Sequence, residues 1–194
     1  DFNKHLVTPL HALPLATIIT LSASGSERSD SCVISDRMHH FKGGFNSVTN
    51  YPLFSLEDPS LTFSVPPYQL GCGLADRFSH SFERYCSPSH ELEPCDGLAL
   101  SIRKSVVSIT NRVLAKADDR EAKRARRICG SLSHDGFTNF GKKKLFIVHK
   151  AEHRLSGKYP DLVHGQGIAL LMPSYLEENE AKLEEKIILL GKEV

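Results

Sequence analysis

Hydrophobic and polar positions change rhythm once along this chain. Before about residue 64 the apolar residues come in short β-branched runs, and from Pro66 onward they return every three or four positions. Leu15-Ala16-Thr17-Ile18-Ile19-Thr20-Leu21, following Pro14, is continuously apolar and predicts a buried strand. The small residues Ser22 to Ser26, with Glu27, break it and predict a flexible, amide-rich loop. Cys32 to Ser35 predicts a second strand and Leu53 to Leu56, just before Asp58-Pro59, a third, with Gly43-Gly44 in a hairpin between them.

The helical rhythm starts at Pro66-Pro67, where proline suits a first turn because its missing N–H would have had no partner. Leu70, Leu74, Phe78, Phe82 and Tyr85 recur as a buried stripe, and the neighbouring face carries Asp76, His80 and Glu83. After a polar loop from Ser87 to Glu93, a second helix is predicted over Leu98 to Leu114. Asp118 is placed to N-cap a third running to about Arg127. A helix carrying His149 and His153 follows Gly141 and Lys142-Lys143-Lys144, and Gly165 to Leu176 and Ala181 to Leu190 predict two more. The fold class expected is mainly α, with a few strands in front.

Composition narrows the function classes. With 194 residues and 40% hydrophobic side chains the chain can bury one sizeable core, and 24 basic against 23 acidic residues leave a net charge of +1. That balance gives no reason to invoke nucleic acid or an anionic membrane. The apolar runs are too short to span a bilayer and no charged-then-apolar leader opens the chain. Five cysteines, odd in number and never spaced C-x-x-C, argue against a disulfide framework or a structural zinc knuckle and for a reducing, cytoplasmic setting.

Three of the ten histidines fall between His149 and His164. His149 and His153 at i and i+4 share a helix face about 6 Å apart, and Gly157 and Pro160 let the chain turn back at His164. Asp76 and His80 form a second i, i+4 pair. Two such pairs plus His164 could converge on one ion, and an Asp/His set without thiolate suits Fe²⁺, Zn²⁺ or another borderline divalent cation. Spacing alone leaves surface ion pairs open. A hydrolase of the H-E-x-x-H kind is disfavoured, because Glu152 stands immediately before His153 rather than after His149.

Gly71-Cys72-Gly73-Leu74-Ala75-Asp76-Arg77-Phe78-Ser79-His80-Ser81-Phe82-Glu83-Arg84-Tyr85, with His149-Lys150-Ala151-Glu152-His153 and His164-Gly165 downstream, resembles the iron-containing (group III) alcohol dehydrogenases, closest to their butanol-dehydrogenase-like branch. Thr20 to Glu27, Asp58 to Pro67 and Gly165 to Pro173 extend the likeness. The resemblance implies the dehydroquinate synthase-like/iron alcohol dehydrogenase fold, with a remnant of the α/β nucleotide-binding domain over 1–64 and the helical metal-binding domain over 65–194. It implies the metal ligands Asp76, His80, His149 and His164, with His153 beside the metal as the proton-handling residue. Thr20, Leu21, Ser26 and Lys42 are implied to face NAD or NADP. The activity implied is hydride transfer between a primary alcohol and its aldehyde, with only these small molecules as partners and a homodimer allowed.

The family's Gly-Gly-Gly-Ser phosphate loop does not occur before Thr20, and the resemblance leads one to expect further helices of that family beyond Val194. The chain is therefore expected to be a truncated, metal-binding half, and a non-catalytic metal-binding or partner-binding fragment stays as the alternative. Glu83 is open between orienting a ligand and pairing with Arg84. His39, His40 and His90 are expected in exposed loops, His134 at a surface helix end, and Lys142 to Lys144 on a solvated face. The cysteines are expected to be ordinary core or surface thiols.

Overall fold

A computed structural model describes residues 6–87, 93–116 and 119–193. Four strands, β1 (Ala16–Ile18), β2 (Ser31–Asp36), β3 (Phe41–Asn46) and β4 (Phe54–Leu56), precede six helices, α1 (Pro67–Cys86), α2 (Glu93–Ala115), α3 (Arg120–His134), α4 (Ile147–Lys158), α5 (His164–Glu178) and α6 (Glu180–Glu193). The mainly helical class predicted from the change of rhythm at Pro66 is the one observed.

Helix α1 is the element the others pack around. Its stripe of Leu70 and Leu74 meets Ile102, Val106 and Ile109 of α2, while Phe82 and Tyr85 meet Ala99 and, from α6, Leu183. Full burial of such side chains contributes about 1.5–3 kcal/mol each. The face bearing Asp76, His80 and Glu83 is buried as well, so α1 presents apolar residues on one side and chemistry on the other.

The N-cap of α3 is Asp119, whose side chain accepts from Ala122 N at 2.8 Å and from Arg112 Nε and Nη2 at 3.0 Å each. The predicted cap Asp118 lies outside the described residues, as do His90 and most of the Ser87–Glu93 loop. Helix α3 runs on to His134, beyond the expected end near Arg127, and Arg84 closes it by donating to the carbonyls of Ser133 at 3.0 Å and His134 at 2.7 Å. A cation on the last carbonyls of a helix satisfies orphan acceptors and opposes the dipole.

Three expectations need correction here. The buried strand over Leu15 to Leu21 shrinks to β1, pairing in parallel with β4. Leu15, Ile18 and Phe54 are exposed, because among the described residues no layer covers the outer face of this two-stranded sheet; Ile19 alone of the run is buried. Lys142 is not solvated: its ammonium is buried in an ion pair with Asp96. Lys143 and Lys144 are exposed as expected. The Gly43-Gly44 pair lies within β3, opposite Ile34 and Val33, while the hairpin turns at Arg37 to His40, where His40 has φ 49°. His39 is exposed. The five cysteines are free thiols, and no described helix is long and apolar enough to cross a membrane.

Candidate metal centre

Three helices deliver the imidazoles to one carboxylate. Asp76 Oδ1, on α1, lies 3.3 Å from His80 Nδ1, 3.3 Å from His149 Nε2 on α4, and 3.6 Å from His164 Nε2 at the start of α5. Asp76, His149 and His164 each offer a ligand atom within 4.8 Å of the others'. His80 stands at the edge of this group, its ring 4.2 Å from that of His149 and its buried Nδ1 without a hydrogen-bond partner among the described residues. An orphaned imidazole nitrogen, two converging Nε2 atoms and a carboxylate are the donor set of a borderline divalent cation, so these residues fit one.

Burial of Asp76 on its own would raise its pKa, but the three imidazoles hold it well below the usual carboxylate range. Burial lowers His80 well below the ordinary histidine value. His149 is raised to about 9: burial opposes the proton, but hydrogen bonds donated to Asp76 and Glu83 outweigh it.

Of the two partners left open for Glu83, the structure gives it His149 rather than Arg84. One oxygen accepts from Val148 N at 2.7 Å, and the other accepts from His149 N at 3.4 Å and pairs with His149 Nδ1. Phe146, the N-cap of α4, sits at φ 45° and makes no side-chain cap bond. Glu83 therefore caps α4 from a different helix and, with the same carboxylate, aims the Nε2 of His149 at Asp76. Arg84 points away, to the end of α3.

On α4, His149 and His153 share a face as predicted. His153 is half-buried, its ring 5.3 Å from that of His164, and burial together with His164 and Lys42 lowers its pKa to about 4. The cofactor-facing candidates are split. Thr20, Leu21 and Ser26 are exposed on the loop between β1 and β2, whereas Lys42, from β3, donates to Ser156 Oγ at 2.8 Å and Glu152 Oε2 at 3.4 Å.

The loop itself is anchored, contrary to the flexibility expected of its small residues. Ser22 and Gly25 are buried, Gly25 adopts φ 63°, and a Cβ on it would meet His134 Cβ at 2.5 Å and Gly130 O at 2.9 Å. Small residues here allow close approach rather than motion. Gly25→Ala is expected to destabilise the protein by about 1–3 kcal/mol in urea unfolding, from the positive φ and the contact together.

Two residues escaped the sequence. His134 ends α3 as expected but is half-buried rather than on the surface: its ring packs edge-on against His80 at 4.4 Å, and burial lowers its pKa to about 3. Glu152 is fully buried and pairs with His164 Nδ1. Its position three after His149 put it on the helix that carries His149 and His153; its partner twelve residues on lay beyond any local spacing rule.

Residues 72–193 match the family described as Fe-containing alcohol dehydrogenase family, C-terminal. The chain is 38% identical over 165 residues to NADH-dependent butanol dehydrogenase A of Clostridium acetobutylicum, covering 85% of this chain and 42% of that one. It is 25% identical to the NADPH-dependent aldehyde reductase YqhD of Escherichia coli over 94% of its length and 47% of the relative's. The crystal structure of NADH-dependent butanol dehydrogenase A from Thermotoga maritima superposes with a TM-score of 0.88 at 29% identity, over 95% of this chain and 47% of that one. The chain thus spans less than half the length of these relatives.

Proposed function

The chain belongs to the Fe-containing alcohol dehydrogenase family, and from that premise we propose that it supplies the metal-binding part of an oxidoreductase that interconverts a primary alcohol and its aldehyde with NAD or NADP. The observation that carries the proposal is the convergence of His80, His149 and His164 nitrogens within 3.3–3.6 Å of Asp76 Oδ1. The four residues are the proposed ligands of Fe²⁺, Zn²⁺ or a similar cation. Such a cation would supply Lewis acidity, favouring negative charge on an alcohol oxygen. The nicotinamide ring supplies hydride chemistry.

The chain's own residues do the rest. Glu83 and Asp76 engage the two nitrogens of the His149 ring, Nδ1 and Nε2 respectively. His153, beside His164 but outside the Asp76 group, is the proposed acceptor of the alcohol proton. Thr20, Leu21 and Ser26, exposed on an anchored loop, are the proposed contacts to the dinucleotide, while Lys42 serves that role through its place on β3 next to α4. In this reading residues 1–64 belong to the nucleotide-binding side and 65–194 to the helical metal-binding side.

The test is elemental analysis after loading with Fe²⁺, followed by titration with NADH or NADPH monitored by nicotinamide fluorescence. One metal per chain and a saturating fluorescence change are expected. Absence of metal uptake overturns the proposal, and uptake without any nicotinamide response leaves the non-catalytic metal-binding alternative in its place. His153→Ala is expected to keep the full metal content while abolishing most alcohol-dependent turnover. Loss of metal from that variant would move His153 into the ligand set.

A further inference from the structure

We propose that Glu152 is the positioning residue for His164, holding its ring so that Nε2 faces Asp76. The proposal rests on the metal reading above and gives a role to a residue outside the four-ligand set, one that the sequence pattern contains but to which it assigned none.

The two nitrogens of His164 are engaged by two different carboxylates. Nε2 faces Asp76 Oδ1 at 3.6 Å, and Nδ1 pairs with Glu152 Oε2. An imidazole can offer a lone pair to a cation from one nitrogen only if the proton sits on the other, and an acceptor at that second nitrogen fixes both tautomer and ring plane. His164 needs such help. It is the first residue of α5, its N-cap Val163 makes no side-chain bond, and its side chain is 28% exposed, so packing does not lock the ring.

The fold makes a dedicated place for this carboxylate. Glu152 is 0% exposed, and its Oε1 has no hydrogen-bond partner among the described residues. Room for it exists because position 167 is glycine: a Cβ there would come within 2.7 Å of Glu152 Cγ and 3.0 Å of Oε1. Lys42 Nζ approaches Oε2 at 3.4 Å but donates at 2.8 Å to Ser156. Were Glu152 only an ion-pair partner for Lys42, the shorter contact would be to Glu152 and its oxygen would not also lie on His164. The arrangement repeats, from another helix, what Glu83 does for His149.

Co²⁺ alone is the probe, because its absorption reports both affinity and ligand field. In competition with a chelator, Glu152→Ala is expected to bind Co²⁺ about 10- to 100-fold more weakly than the unaltered chain, the range found when partners of ligating histidines are removed. Glu152→Gln keeps the shape and an acceptor oxygen, and is expected to recover part of that loss while shifting the Co²⁺ band. In a His164→Ala background the Glu152→Ala change should cost no more than about twofold, since its target is gone. Equal losses in the two backgrounds, or a Glu152→Gln variant with unchanged affinity and band, overturn the proposal. If circular dichroism shows that Glu152→Ala does not fold, Glu152→Gln decides alone. Co²⁺ uptake that ignores Glu152 sinks this inference and leaves the metal reading standing, whereas no uptake by the unaltered chain removes both.

Discussion

Asp76→Ala is expected to lower divalent-metal affinity by about 100- to 1,000-fold, so that the variant emerges from dialysis against a weak chelator with almost no metal. The size follows from dividing a site energy of order 10–16 kcal/mol among four ligands, which assigns about 2.5–4 kcal/mol to each. Asp76 should carry at least its share. It provides the sole carboxylate in the proposed ligand set, and its Oδ1 is the atom around which His80, His149 and His164 gather. Asp76→Asn keeps the shape of the residue and isolates the charge; a comparable loss is expected there. His164→Ala should lose metal for the same reason, with the added effect of freeing Glu152. Unchanged stoichiometry in both Asp76→Ala and His164→Ala would sink the four-ligand assignment, whatever either does to stability.

Gly165→Ala is expected to be the most damaging of the conservative substitutions. A Cβ at that position would sit 2.1 Å from the carbonyl oxygen of Cys72, 2.5 Å from its carbonyl carbon and 2.7 Å from its Cα. All three are backbone atoms of α1, so no side chain can swing aside. Relief requires α5 to move off α1, and His164 is the residue immediately before. The expected cost is roughly 3 kcal/mol or more, at or above the upper end of ordinary overpacking, together with weakened metal binding. Gly71→Ala, on the same helix as Cys72, is the matched control. Its Cβ meets nothing within 4 Å, and it should be neutral or stabilise the helix by up to about 1 kcal/mol. Urea unfolding of the pair reads the contrast; equal midpoints would mean that α1 and α5 do not approach as closely as described.

The elements were legible wherever the information was local. Pro67 opening α1, the Leu70–Leu74–Phe82–Tyr85 stripe and the shared face of His149 and His153 all follow from helical geometry acting over a few residues. Failures came where distant contacts overrode local character. Lys142 reads as one of three surface lysines until Asp96, forty-six residues earlier, takes its charge inside. The small residues Ser22 to Ser26 read as flexible until Gly25 is found pressed against α3. Leu15 to Leu21 has the composition of a buried strand, yet composition cannot say whether a covering layer is present.

Sequence by itself determined which helices carry the histidines and, through the likeness of the stretch Gly71–Tyr85 and of His149–Gly165, the family. Those are properties of residue type and of spacing within a turn or two. Only the tertiary structure decided where each imidazole points. The Nδ1 of His149 is held by Glu83, sixty-six positions away, and that of His164 by Glu152 on the preceding helix. Such pairings depend on how α1, α4 and α5 pack, and α1 and α5 come close enough only because residue 165 has no side chain. Ring direction is what turns a set of histidines into a site, and it is set by the whole core rather than by any one segment.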